Sequence, residues 1–406
     1  MPISIYSTGL GKTPANFQPL TPLTSLARAA GIFPGQMAVI HGPRRFTYGQ
    51  FFSRCRALAS ALSQNDIGRN DTVSVMLANT PAMLEAHHGI PMCGAVIHAM
   101  NTRLDAPVIA YMLDHAETKL LIIDLEFSKS IKQALELARV KPLVITCDDP
   151  VARYENHLPG HQDYEDFLAT GDPDFDWKLP EDEWDAISLN YTSGTTGDPK
   201  GVVYHHRGAH LMGYANILAA SMPRHPVYLW TLPMFHCNGW CFPWSLSVVA
   251  GTHVCLRQVR GKAIWDSLAD HHVTHLCGAP IVMSTILDTP EAEKRQLSTT
   301  PEFFTAAAPP PESVLGAMAR AGFGVTHLYG LTETYGPAVV NEWQEEWNAL
   351  DPQQQARKKA RQGVQYSALE GLSIRQPENM RPVPADGKTL GEVMFRGNIV
   401  MKGYLK

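Results

Sequence analysis

Apolar runs of strand length, separated by helical patterns, recur along most of the chain and leave few folds open. "DTVSVMLAN" (71–79), "TKLLIIDL" (118–125) and "PLVITCDD" (142–149) are almost continuously apolar and end in charged or turn residues. A strand covered on both faces reads this way, whereas a half-exposed strand alternates. Helices lie between such runs. In "YGQFFSRCRALASALSQ" (48–64), Phe51, Cys55, Leu58 and Leu62 fall on one face at helical spacing.

The pattern resumes after a polar stretch that runs from Asp148 to Asp185. "AISLNYT", "VYLWTLPMF", "THVCL", "THLCGAP", "EFFTAAAP" and "GVTHLYG" read as strands, with helices such as "AIWDSLADHH" and "PESVLGAMARA" between them. Alternation of this kind builds parallel sheets with helices on both faces. At 406 residues the chain exceeds one simple core. The expected fold is α/β, with two lobes of mixed, mainly parallel sheet covered by helices, 1–180 and 181–340. A small β-rich unit of distorted-barrel type, 341–406, follows; in it "LEGLSIRQ", "ADGKTLGEVMFRG" and "IVMKGYLK" are short strand-like pieces between turns.

Composition narrows the function classes. With 34 basic and 39 acidic residues the net charge is −5, and no block of one sign suggests a nucleic-acid groove or a polybasic membrane anchor. Seven cysteines without close pairing fit a reduced, intracellular protein. The N-terminal "MPISIYSTGLGKTPANFQPL" has no basic start followed by an apolar core, so no secretory signal is read. The most apolar long segment, from Trp240, is broken by Pro243 and His253 and is too short for a membrane span. A cytoplasmic location is expected.

"YTSGTTGDPKG" (191–201) concentrates hydroxyls, glycines and a lysine behind the strand "AISLNY", with a helix expected next. Phosphate oxygens need N–H and hydroxyl donors and a cation, and glycines let the backbone approach closely enough to aim its amides. The spacing is not that of a Walker A loop. Taken alone, the loop serves either an anion or an ordinary strand-ending turn.

The whole string resembles the signature phosphate loop of the adenylate-forming family, which includes acyl-CoA synthetases, luciferases and peptide-synthetase adenylation domains. "LYGLTETYG" (328–336) is similar to that family's second signature, and "LPMFHCNGWCFPW" (232–244) to the acyl-site segment of its CoA ligases. "TAAAPPP" (305–311) is similar to its adenine-side loop, and "GEVMFRGNIVMKGYLK" (391–406) to the element leading toward its hinge. The matches occur in family order and cover the chain from about Gln36 onward. In wording they are similar to short- and medium-chain acyl-CoA ligases, among them bacterial 3-methylmercaptopropionyl-CoA ligases and plant acyl-activating enzymes.

The resemblance implies two half-reactions: ATP and a carboxylate give acyl-AMP and pyrophosphate, then CoA displaces AMP. It implies that Thr192, Ser193, Gly194, Thr195, Thr196 and Gly197 wrap the phosphates, with Lys200 adding charge. Glu333 and Thr192 would bind Mg²⁺, and Thr332 would sit near the α-phosphate. Tyr329 would stack on adenine opposite Ala307, Ala308 and Pro309, with His327 and Leu328 on the same edge. His236 would border the carboxylate and phosphate, with Cys237, Gly330 and Trp240 walling the acid. Catalytic roles thus fall to Glu333, Thr332 and His236. A rival metal site of His236, Cys237 and Cys241 lacks a fourth ligand. Trp244, His87, His88, His205, His206, His271 and His272 read as packing or capping residues.

The family's ribose-binding aspartate and its C-terminal domain, with an adenylation lysine, follow the "MKGYLK" element and are missing from the sequence. Lys402 and Lys406 belong to the wrong motif to replace that lysine. The expectation is therefore the large N-terminal portion of a ligase, with weak ATP binding and no thioester synthesis by these 406 residues alone. Transfer to a carrier protein, or a non-catalytic nucleotide-binding module, are the alternatives. The expected partners are a small carboxylic acid, ATP and CoA, without nucleic acid or a stable membrane anchor, and relatives suggest a homodimer.

Overall fold

The computed structural model describes residues 4–152, 158, 161–192 and 198–406. Two large sheets dominate it. In spatial order the first runs Val364–Gln365, Gly336–Val340, Gly324–Leu331, Glu302–Thr305, His275–Gly278, Val227–Leu229, Thr252–Val254, Met37–His41 and Arg44–Thr47. The second runs Gly403–Tyr404, Lys200–His205, Ala186–Thr192, Val96–Ala99, Thr72–Met76, Thr118–Asp124, Leu143–Cys147 and Gln162–Asp163. The interior strands of both pair in parallel, and antiparallel strands close the edges that meet the site.

The apolar runs occupy these interior strands as their composition requires. Val73, Val75, Leu120, Ile122 and Ile145 are buried in one continuous core with Phe51, Cys55, Leu58 and Leu62. Those four lie on the helix Tyr48–Gln64, which a capping box starts: Thr47 accepts from the Gln50 amide, and the Gln50 side chain accepts from the Thr47 amide. Trp230 and Trp244 are fully buried in the same core.

Sheet membership does not follow the expected division at residue 180. Met37–His41 and Arg44–Thr47 leave the first part of the chain to join the sheet built mainly from 227–365. Ala186–Thr192 and Lys200–His205 extend the sheet built from 72–163. Past Val340 the β-rich character is an antiparallel pair, Gly371–Arg375 with Glu392–Arg396, while Val364–Gln365 and Gly403–Tyr404 become edges of the large sheets. Among the described residues no helix is long and apolar enough to cross a membrane.

Candidate active site

A cavity of about 880 Å³ takes its wall from both sheets. From the second sheet come Thr192 and Lys200, which face each other across the base of the hydroxyl-rich loop. Ser193, Gly194, Thr195, Thr196 and Gly197 lie outside the described residues. The segment after the loop corrects one expectation: it is an antiparallel strand, Lys200–His205, and not a helix. Val202, Val203 and Tyr204 favour the pleated surface, and the helix His206–Ala219 starts only afterwards, capped by the His205 ring, which accepts from the Gly208 amide. Among the described residues the loop is thus followed by a strand and not by a helix N-terminus, and Lys200 brings a positive charge to the cavity.

The first sheet contributes Gly330, Thr332 and Glu333 at the turn that joins the strands Gly324–Leu331 and Gly336–Val340. Two tyrosines fasten this turn to the loop hairpin. The Tyr204 hydroxyl donates to the Thr332 carbonyl at 2.6 Å, and the Tyr335 hydroxyl accepts from the His205 amide at 2.7 Å. Their rings stack with centroids 3.9 Å apart. The Glu333 Oε1 accepts from the Tyr404 hydroxyl at 2.8 Å, and the Lys200 ammonium lies 5.3 Å from the centroid of the same Tyr404 ring.

His236, Cys237 and Trp240 form the third wall. Cys237, Asn238, Gly239, Trp240 and Cys241 all have positive φ, between 42° and 63°. Four of the five are not glycine, and such a conformation costs roughly 1–2 kcal/mol per residue. The surroundings over-determine it. Ser188 Oγ donates to the buried Asn238 side chain at 2.7 Å, Asn216 donates to the Trp240 carbonyl at 2.7 Å, and the Cys237 thiol lies 3.7 Å from the Thr332 hydroxyl. Gly336 sits beneath Trp240 with φ +101°, and a Cβ there would come within 2.9 Å of the indole.

Charge in this wall is kept low. Burial, then the nearby Arg103, pulls the His236 imidazole below its ordinary value, so the ring is neutral near pH 7. Burial pushes the Cys237 thiol up to about 11. A protonated thiol is a poor metal ligand and nucleophile, and among the described residues no group of three or more His, Cys, Asp or Glu is placed to hold a metal ion. Thr192 and Glu333, both hard oxygen donors on one cavity, fit an ion such as Mg²⁺ that keeps most of its waters.

The adenine-side expectations divide. Ala307 lines the cavity with φ +79°, whereas Ala308 and Pro309 are exposed outside its wall. Tyr329 is half-buried, its ring 6.1 Å from that of Phe395, and Leu328 packs in the core. His327 is buried with Nδ1 3.1 Å from the carbonyls of Ala360 and Arg361. These three side chains are not brought to the wall that holds Glu333. Sequence reasoning assigned no role to Arg103, Asp198 and Tyr404, which line the cavity. Tyr404 lies within the quoted "MKGYLK" and Asp198 within "YTSGTTGDPKG", so their signals were at hand; Arg103 carries none beyond its charge.

Residues 26–405 match the family described as AMP-binding enzyme. The acetate/butyrate–CoA ligase AAE7, peroxisomal, of Arabidopsis thaliana is 50% identical over 409 residues, which cover 98% of this chain and 72% of that protein. The peroxisomal trans-cinnamate:CoA ligase of Petunia hybrida is 42% identical, over 98% of this chain and 72% of that protein. Among solved structures, the inhibitor-bound N-terminal domain of FACL13 from Mycobacterium tuberculosis superposes with a TM-score of 0.78 at 22% identity, over 95% of this chain and 91% of that one. The expected cytoplasmic location is overturned, since both relatives are named peroxisomal. Receptor-read addresses are not apolar segments, so reading no secretory signal does not separate the cytosol from another compartment.

Proposed function

Because the chain belongs to the AMP-binding enzyme family, we propose that it is an AMP-forming acid–thiol ligase that activates a short carboxylic acid to acyl-AMP and passes the acyl group to CoA. One observation carries this reading: a single cavity joins Thr192 and Lys200, the Thr332–Glu333 turn, and the His236–Trp240 wall. A carboxylate is a weak electrophile and is repelled by a triphosphate, so the site must screen charge and align the two. Lys200 and the Thr192 hydroxyl supply a cation and a donor at the phosphate end. Thr192 and Glu333 would hold Mg²⁺, which when bound neutralises phosphate charge. Neutral His236 and the apolar Trp240 wall form the acid end, where the protonated Cys237 thiol adds no negative charge against the incoming carboxylate.

The acid is short. The indole of Trp240 is pinned by the left-handed turn behind it and by Gly336 below it, so this wall does not recede to admit a longer chain. The name of AAE7 gives acetate and butyrate for that relative, and we assign the same range here, with 3-methylmercaptopropionate at its upper end. The test is a panel of acetate, propionate, butyrate, 3-methylmercaptopropionate, hexanoate, octanoate and cinnamate, offered with ATP and CoA to the full-length protein and scored by AMP release and thioester formation. Highest kcat/KM between acetate and 3-methylmercaptopropionate supports the reading. A preference for octanoate or cinnamate removes the short-acid assignment, and AMP release that never depends on CoA removes the ligase.

A further inference from the structure

We propose that Tyr404 is a positioning residue for the nucleotide's metal ion, holding the Glu333 carboxylate and the Lys200 ammonium in one arrangement; the inference rests on the ligase reading above. The segment 401–405 is stitched to both halves of the phosphate end. The Met401 amide donates to the Glu333 carbonyl at 2.8 Å, the Lys402 amide to the Val203 carbonyl at 2.8 Å, and the Leu405 amide to the Gly201 carbonyl at 2.7 Å. The strand Gly403–Tyr404 pairs with Val202 and Val203. This backbone lays the phenol across the gap between the loop hairpin and the Glu333 turn. Its hydroxyl donates to Glu333 Oε1 at 2.8 Å, and its ring lies 5.3 Å from the Lys200 ammonium.

The two contacts act differently. An ionised carboxylate only accepts hydrogen bonds, through two oxygens. Tyr404 engages Oε1, which fixes the rotation of the group and leaves Oε2 as the oxygen open to a cation. A cation within about 6 Å of an aromatic centroid is attracted to the ring, so the ring also restrains Lys200. Packing alone would not need a hydroxyl aimed at the carboxylate.

Mn²⁺ bound with a non-hydrolysable ATP analogue, read by electron paramagnetic resonance on the full-length protein, tests this without turnover. Tyr404→Phe keeps the ring and loses the hydrogen bond. It should weaken Mn²⁺ binding about three- to tenfold while the metal-free affinity for the analogue stays unchanged. Tyr404→Leu should weaken the metal-free affinity as well, because Lys200 loses its ring. Wild-type Mn²⁺ affinity in Tyr404→Phe, beside a marked loss in Glu333→Gln, overturns the proposal and spares the ligase reading. Wild-type affinity in Glu333→Gln overturns the metal assignment itself, and the role of Tyr404 with it.

Discussion

Two polar seams join the same pair of sheets, and they differ in how completely their charges answer one another. In the closed seam, Arg257, just past the strand Thr252–Val254, lies 2.7–2.8 Å from Asp124, which ends a strand of the other sheet, and from Glu126 and Asp149, just past two of its strands. His41 adds a 2.7 Å contact to Asp149. Asp124, Asp149 and His41 are at most 2% exposed. In the open seam, the active cavity, neither Lys200 nor Arg103 forms an ion pair among the described residues, and Glu333 has only a tyrosine hydroxyl on its side chain. Charge by itself therefore does not mark a functional site. Donors and cations left with capacity beside a cavity do.

Removing a cation from each seam gives the largest test. Arg257→Met leaves buried carboxylates without their counter-charge and should cost about 3–5 kcal/mol in denaturant unfolding. Lys200→Met should change stability by no more than about 0.5 kcal/mol while lowering ATP–pyrophosphate exchange. Equal stability losses would erase the distinction between the seams. A smaller effect is expected where the open seam meets the acid. Trp240→Leu should shift the ratio of kcat/KM for hexanoate over butyrate upward by about 10- to 200-fold, the range for a single methylene in an apolar pocket. An unchanged ratio would show that another wall limits the acid.

Much of this was legible in the sequence where local pattern and tertiary demand agree. "AISLNYT" is the strand Ala186–Thr192, the amphipathic 48–64 pattern is the helix Tyr48–Gln64, and Trp244 and His87 are core residues. Lys402 and Lys406 bond the carbonyls of Trp184 and His115, and neither lines the cavity. What could not be read depends on partners distant in the chain. "VYLWTLPMF" is strand only at Val227–Leu229, because the Asn79 side chain takes over from a sheet neighbour: it donates to the Trp230 and Leu232 carbonyls and accepts from the Met234 amide. The left-handed turn at 237–241 carries a local signal only at Asn238–Gly239. Cys237, Trp240 and Cys241 adopt it because Ser188, Asn216 and Tyr335, from three other elements, hold the turn there.

Acid offers the smallest and most selective test of the closed seam. Burial pulls His87 to about 4 and His88 to about 3. With folded values below the unfolded 6.5, their contribution is complete above pH 6.5 and lost as pH falls, each by up to about 1.4 kcal/mol per unit. Asp149 responds later. Burial alone would raise it, but the hydrogen bond from His41 and the charge of Arg257 outweigh that and hold it at about 2, against 3.8 when unfolded. A depressed carboxylate stabilises above its unfolded value and loses that contribution between about pH 4 and pH 2, here on the order of 1–2 kcal/mol. His87 and His88 are not partners of Asp149, so they cancel in the difference between wild type and Asp149→Asn when both proteins also carry His41→Gln, which removes the ring bonded to Asp149. That difference, measured by urea unfolding, should stay constant from pH 8 to 5 and shrink only below about pH 4. Shrinkage that starts near pH 6 would place the titrating group elsewhere in the seam and take from Asp149 the role of its acid-resistant anchor.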